Sequence, residues 1–202
     1  MQDLAELILH MTEKGALKSI DLIQAFETMD RRFFVAESQQ KHCYEDRPLP
    51  IGLNQTISQP STVAITLEQL APEPGQQILD IGCGSGWTSA LLGQIVGKQG
   101  QVLGLDRLAE LLALGQQHLQ HWDLPHVTLA LAGPTLGAPG HTFDRILVSA
   151  AAKTFPESLL TQLRPNGRLV IPVTHDIVVC HKHVDGRVDS EYLSGFRFVP
   201  LR

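Results

Sequence analysis

Two stretches of this 202-residue chain hold residue types that can do chemistry. The first is Ile78-Leu79-Asp80-Ile81-Gly82-Cys83-Gly84-Ser85-Gly86-Trp87: an apolar run, an acid and alternate glycines, followed by an apolar segment from Thr88 to Val96. It reads as strand, tight turn, helix. Glycines at such a turn let the backbone bend sharply and let a ligand lie against bare main chain. The N–H groups that open the helix can then receive an anionic ligand group. A dinucleotide fingerprint, G-x-G-x-x-G, would need its third glycine at position 87. Trp87 stands there, so that ligand is excluded on sterics. A second acid, Asp106, closes the next apolar run, Val102-Leu103-Gly104-Leu105. It lies about 20 residues on, where such folds place a carboxylate on ribose hydroxyls.

The second stretch is the polar group Asn54, Gln55, Thr56, Ser58 and Gln59, inside a segment that runs from Tyr44 to Pro60. Two prolines and a glycine before it argue against regular structure until a helix opens near Pro60. A loop so dense in hydroxyls and amides can line a pocket. Ser58 or Gln59 can equally serve only to cap the helix bearing Val63, Leu67 and Leu70. Composition leaves both readings open.

The elements that must hold these stretches follow from periodicity. Leu4, Leu7, Ile8 and Met11 mark one helix, stopped near Gly15, and Ser19 is expected to cap a second with Leu22, Ile23, Phe26 and Met29 on one face. Strands at 77–81, 101–105 and 126–131 alternate with helices at 87–96 and 108–121. A fourth strand covers 143–148 and carries Ser149, Ala150 and Ala151 at its carboxyl end. Pro156 is expected to open a helix with Leu159, Leu160 and Leu163, ended by Pro165-Asn166-Gly167, before a fifth strand at 169–173. Asp185-Gly186 signals a hairpin between 177–183 and 187–192. The fold expected is α/β: a mostly parallel twisted sheet, an antiparallel C-terminal edge pair and an N-terminal helical cover. Ligands of such sheets sit outside the strand carboxyl ends, which gathers Gly82–Gly86, Asp106, the 132–137 loop and Ser149–Ala151 around one crevice.

Composition sets limits on partners and setting. A hydrophobic fraction of 43% with 18% charged residues fits a soluble protein, and a net charge of −5 argues against general phosphate-backbone binding. Arg31-Arg32-Phe33-Phe34 sets basic residues beside aromatics, yet paired arginines at a helix end are expected as a solvated terminus favoured by the helix dipole. Three scattered cysteines suggest a reducing cytoplasm, and no apolar run approaches membrane-spanning length. Nine histidines include His118 and His121 on what reads as a polar helix face; none has the partners or spacing of a metal site. Cys83, with no basic neighbour to activate it, is expected as a small residue fitting beside a ligand.

The glycine stretch with its two acids resembles the opening motifs of class I S-adenosylmethionine-dependent methyltransferases, which have a Rossmann-like fold. Tyr44-Glu45-Asp46-Arg47-Pro48-Leu49-Pro50-Ile51-Gly52, Gln55-Thr56-Ile57-Ser58-Gln59-Pro60, the run Leu163–Val173 and the closing Arg197-Phe198-Val199-Pro200-Leu201 resemble the protein-L-isoaspartate O-methyltransferase family. The similarity runs nearly end to end. It implies one domain, 1–202, with helices and acceptor loop in 1–60 and a nucleotide-binding core in 61–202. It implies transfer of a methyl group from S-adenosylmethionine to the free carboxylate of an L-isoaspartyl residue in a damaged protein or peptide, with S-adenosylhomocysteine as product. Ser58 takes the active-site position, and Thr56 and Ile57 shape its pocket. Asp80, Gly82, Gly84, Ser85 and Gly86 hold the methionine part of the cofactor, and Asp106 its ribose. Ala150 and Ala151 admit a peptide backbone. A cytoplasmic monomer, with no metal, nucleic acid or membrane, completes the expectation.

Some residues depart from that pattern. The family carries Gly-Asp-Gly after the third strand, its acid reaching the adenine amino group, where this chain has Gly133-Pro134-Thr135. Ser61 stands where the family carries a larger ring, and Arg202 where some members have Thr. Two alternatives thus stay open: a divergent member methylating another carboxylate acceptor, and a non-catalytic binding module of the same fold.

Overall fold

The computed structural model describes residues 1–201; the substitution noted at Arg202 lies outside them. Two helices lead the chain, α1 (Leu4–Glu13) and α2 (Ile20–Thr28). A short antiparallel hairpin, β1 (Leu49–Gly52) with β2 (Gln55–Ile57), precedes α3 (Pro60–Leu70). The main sheet follows as β3 (Gln77–Ile81), β4 (Gln101–Asp106), β5 (Val127–Leu131), β6 (Phe143–Val148), β7 (Leu163–Val173), β8 (Asp176–Lys182) and β9 (Val188–Ser194). Helices α4 (Trp87–Val96) and α5 (Ala109–Leu119) form the crossovers among its first strands.

The strand order is β5-β4-β3-β6-β7-β8-β9. Pairing is parallel from β5 through β7 and antiparallel for β8 and β9, as the apolar runs and the Asp185-Gly186 turn lead one to expect. Order reverses between β3 and β6, because β4 and β5 lie to one side and β6 onward to the other. A crevice opens at such a switch point beyond the carboxyl ends of the strands. Gly82 and Ser149 flank it, bonded through the Ser149 amide to the Ile81 carbonyl at 2.8 Å.

Strand alternation divides the core. Ile78 faces a large cluster under the helices, with Leu7, Phe26, Leu67, Trp87 and Leu91, while Leu79 faces a smaller one with Leu105, Ile146, Leu159 and Leu169. The N-terminal helices are bolted to the sheet half: the Trp87 indole donates to the Met29 carbonyl at 2.9 Å and meets the Phe26 ring edge-on. Among the described residues no helix is long and apolar enough to cross a membrane.

The structure corrects several local expectations. The segment before Pro60 is not irregular: β1 and β2 pair around Leu53 and Asn54, both at positive φ, the geometry a tight hairpin turn demands. After Pro156 only a 3₁₀ stretch (Glu157–Gln162) forms, and Leu163 already belongs to β7. Pro165-Asn166-Gly167 is therefore an excursion inside the strand, where Phe143 pairs with Leu163 but Arg145 with Arg168. Ser19 does not cap α2 with its side chain; its hydroxyl donates to Glu68 at 2.6 Å, and the same carboxylate accepts the Lys18 and Ser19 amides.

Candidate active site

The glycine turn leaves β3 with Gly82, Gly84 and Gly86 all at positive φ. Most of its amides are taken: those of Gly82 and Cys83 donate to the Leu105 carbonyl, that of Gly84 to Asp106 at 2.9 Å, and that of Gly86 to Cys83, which leaves the Ser85 amide as the one in the turn with no partner among the described residues. The glycines thus offer bare surface more than donors. Gly104 on β4 completes the fit, since a Cβ there would lie 2.5 Å from Leu129 and 2.6 Å from the Ser89 hydroxyl. His118 is not on an open polar face, as its helical position suggested. It is half-buried against Phe34, its Nδ1 donating to the Ser85 carbonyl at 3.0 Å, and burial lowers its pKa.

Two acids stand under this turn. Asp106 accepts from the Gly84 amide with one oxygen and from the Leu108 amide with the other, and it lines the cavity described below. Asp80 is fully buried; its Oδ2 accepts from the Thr88 hydroxyl at 2.6 Å and the Ser89 hydroxyl at 2.7 Å, while Oδ1 has no partner among the described residues. Burial raises its pKa to about 6, the two hydroxyls opposing the rise and Asp106 adding to it. The turn therefore rests on two acids, with no cation paired to either among the described residues, and Asp80 at about 6 is ionised at neutral pH. Such a cradle suits a ligand that carries positive charge. The Cys83 thiol, buried between these acids, is pushed well above its usual range, which makes it inert.

The hydroxyl loop faces the turn. Arg31 is not solvated, as its sequence context suggested, but wholly buried. Its guanidinium donates to the carbonyls of Cys43, Glu45, Arg47 and Ser58, so a stretch with little regular structure finds its acceptors satisfied from outside. Arg32 alone takes the exposed position. At the far end, Asp46 caps α3 from a distance: it accepts from the Ser61 amide and hydroxyl, both at 2.8 Å, and from the Gln59 amide. Neither Ser58 nor Gln59 makes the expected cap with its own side chain. Burial works against ionised Asp46, but the Ser61 donors, Gln59 and nearby His10 hold its pKa below the usual value.

Loop and turn enclose one cavity of about 510 Å³, a size that holds a nucleoside-scale ligand with room for an acceptor. Thr56, Ile57 and Ser58 line one wall, and Gly82, Gly84, Ser85 and Asp106 another. Ala150 and Ser149 close the end, with the exposed strip Gly133-Pro134-Thr135 as a lip. Three residues anticipated at the ligand do not line it. Asp80 lies behind the wall, where it accepts from the Thr88 hydroxyl; Gly86 packs against Gly115; Ala151 is spoken for by the chain itself. The Ala151 amide donates to the Val199 carbonyl and its carbonyl accepts from the Leu201 amide, so the tail occupies the backbone positions expected for a peptide. Ser149 lines the cavity as its place at a strand end led one to expect, while sequence reading missed Thr88, Arg31 and the tail segment 199–201. Thr88 directly follows a motif already noticed, a signal that was there to use.

The family model described as Protein-L-isoaspartate(D-aspartate) O-methyltransferase (PCMT) matches residues 2–202. A protein-L-isoaspartate O-methyltransferase of Methanopyrus kandleri is 37% identical over 96% of this chain and 89% of its own length. One of Methanothrix thermoacetophila is 39% identical over 89% of this chain and 87% of its own. The crystal structure of a Plasmodium falciparum protein described by the same activity, in complex with S-adenosyl-L-homocysteine, superposes with a TM-score of 0.86 at 23% identity, covering 98% of this chain and 97% of the other. That last likeness speaks to the fold.

Proposed function

The chain belongs to the protein-L-isoaspartate(D-aspartate) O-methyltransferase family, and from that premise we infer that it methylates the free carboxylate of L-isoaspartyl residues in damaged proteins or peptides, with S-adenosylmethionine as donor. The observation that carries this reading to particular residues is a juxtaposition: Ser58 and the bare turn Gly82–Ser85 border the same cavity.

S-adenosylmethionine, when bound, supplies a methyl group on a sulfonium, which a carboxylate can displace in line. The two buried acids and the bare glycine wall fit such a cationic nucleotide. In this reading Gly82, Gly84 and Ser85 receive its methionine part, with Gly86 shaping the turn and Asp80 orienting Thr88. Asp106, with lone pairs left beyond its two amide bonds, accepts from the ribose hydroxyls. The adenine rests on the lip at Gly133-Pro134-Thr135 by contact alone, no acid being present there.

The acceptor carboxylate, with a pKa near ~3.5, is ionised at neutral pH and needs no general base. What the chain contributes is alignment and exclusion of water. Ser58 orients the carboxylate with a neutral hydroxyl, which leaves its charge available for attack. Thr56, Ile57 and Ala150 shape the space around it. Ser61, which departs from the family pattern, binds Asp46 outside the cavity lining, so it does not redirect the acceptor side. The active species in this reading is a monomer in a reducing cytoplasm, which suits three free buried thiols.

Methyl transfer to an isoaspartyl peptide, measured against its aspartyl twin, tests the assignment. Transfer to the first alone is expected; equal transfer to both, or to neither while S-adenosylhomocysteine binds, would sink it.

A further inference from the structure

Arg31 is an unusual use of a cation. Its side chain is wholly buried, and among the described residues no carboxylate pairs with it. Burial lowers its pKa to about 10, partly offset by Cys43, Asp46 and Glu45, so it stays protonated at neutral pH. All the contacts that satisfy it are main-chain carbonyls: Cys43 at 2.8 Å and Glu45 at 3.2 Å on Nη1, Arg47 at 2.9 Å and Ser58 at 3.0 Å on Nη2. Its Nε has no partner among the described residues. Desolvating a charge in this way costs more than filling the same space with an apolar side chain. The arrangement therefore makes sense only if the planar fork does something that an apolar plug cannot.

What it does is measure a distance. The guanidinium lies 5.5 Å from the centre of the Trp87 ring, and Trp87 opens α4 directly after the glycine turn. One rigid plane thus touches the main chain of Ser58 on one side and the first residue beyond Gly86 on the other. We propose that Arg31 is a positioning residue for methyl transfer: it fixes the Ser58 hydroxyl relative to the glycine turn, and so the acceptor relative to the donor. It touches neither substrate and acts only through Ser58, an inference that rests on Ser58 being the residue that orients the acceptor.

Arg31→Lys keeps the charge and removes the fork, since one ammonium cannot span four carbonyls. A loss of alignment on the ångström scale costs roughly 100-fold in rate, so kcat/KM for an isoaspartyl peptide should fall by about that factor. Affinity for S-adenosylhomocysteine, measured by calorimetry, should hold; it also shows that the variant is folded. In a Ser58→Ala background the same substitution should cost much less, because the two act as one unit. Methylguanidine should restore part of the activity of Arg31→Ala and none of that of Ser58→Ala, a second route if the lysine variant does not fold. Full activity of Arg31→Lys, a parallel collapse of cofactor affinity, equal losses in both backgrounds or no rescue of Arg31→Ala would overturn the proposal. If Ser58→Ala alone is fully active, the reading of Ser58 has failed instead.

Discussion

The glycine turn and the hydroxyl loop border the same cavity, yet they are held in place by opposite means. The turn is organised by its neighbours: β3 and β4 run side by side, the Leu105 carbonyl takes the Gly82 and Cys83 amides, and Asp80 reaches only as far as Thr88 and Ser89. The loop lies outside that sheet and is held by two charged side chains, Arg31 on the Ser58 carbonyl and Asp46 on the Ser61 amide and hydroxyl. A region braced between paired strands can store electrostatic strain, because the sheet holds it rigid. One held by side-chain clamps can be loosened without touching the other. The cofactor side and the acceptor side should therefore fail separately.

The largest separation is expected for Ser58→Ala. Removing the hydroxyl leaves the Ser58 carbonyl on Arg31 and the turn intact. Turnover on an isoaspartyl peptide should fall roughly 100-fold, the scale of lost orientation. Affinity for S-adenosylhomocysteine should not change. Steady-state kinetics beside calorimetry reads both, and a joint fall would break the contrast between the two regions.

Asp80→Asn probes the other side and should move stability in the opposite direction. The folded-state pKa of about 6 lies above the ordinary aspartate value, so between them the folded state binds more protons than the unfolded one. Stability is then greatest below the ordinary value and declines as pH rises toward about 6, after which this contribution is constant. A rise of that size corresponds to roughly 3 kcal/mol at most. The amide variant should lose that slope in denaturant titrations across the window and gain up to about 2–3 kcal/mol at neutral pH. It should also bind S-adenosylhomocysteine roughly tenfold more weakly. A variant that is less stable at neutral pH, or whose slope persists, would show that the turn carries no such strain.

The same contrast explains what the sequence made legible. Strand, glycine turn and following helix are written in one unbroken run, and the acid two residues ahead of Gly82 needs no partner elsewhere to be noticed. The strands and the antiparallel edge pair were legible for the same reason, since each apolar run and its turn are local, whereas the order of strands in the sheet comes from the structure. Arg31 could not be recognised, because its partners are main-chain carbonyls, and carbonyls have no residue type. Its neighbour Arg32, chemically identical, points to solvent, so nothing in the letters separates the two. Asp46 was hidden in the same way: a cap supplied from outside the helix leaves no capping motif at the helix itself. The hairpin before Pro60 escaped because Leu53 and Asn54 adopt positive φ without the glycine that normally signals it. Ala151 misled, because a small residue at a strand end looks open until the tail is found against it.

The smallest expected effect concerns the lip of the cavity. Pro134 stands where the resemblance would put an acid, and the loop around it is well fixed: Gln162 accepts from the Ala138 amide at 2.8 Å and donates to the Leu136 carbonyl at 3.0 Å. A substitution at Pro134 should therefore leave the loop where it is. Gly133, Pro134 and Thr135 are all exposed, so an acid introduced there remains hydrated until ligand arrives. A hydrogen bond formed from such a solvated carboxylate is worth about 1 kcal/mol, the net value of an ordinary hydrogen bond, because water already satisfies the charge. Pro134→Asp should then tighten S-adenosylhomocysteine about fivefold, with kcat for the isoaspartyl peptide unchanged. Tightening of that size, confined to the cofactor, would mean that the apolar lip lowers affinity without redirecting the chemistry. A shift in acceptor preference with no gain in affinity would instead tie this strip to the hydroxyl loop, against the independence of the two sides.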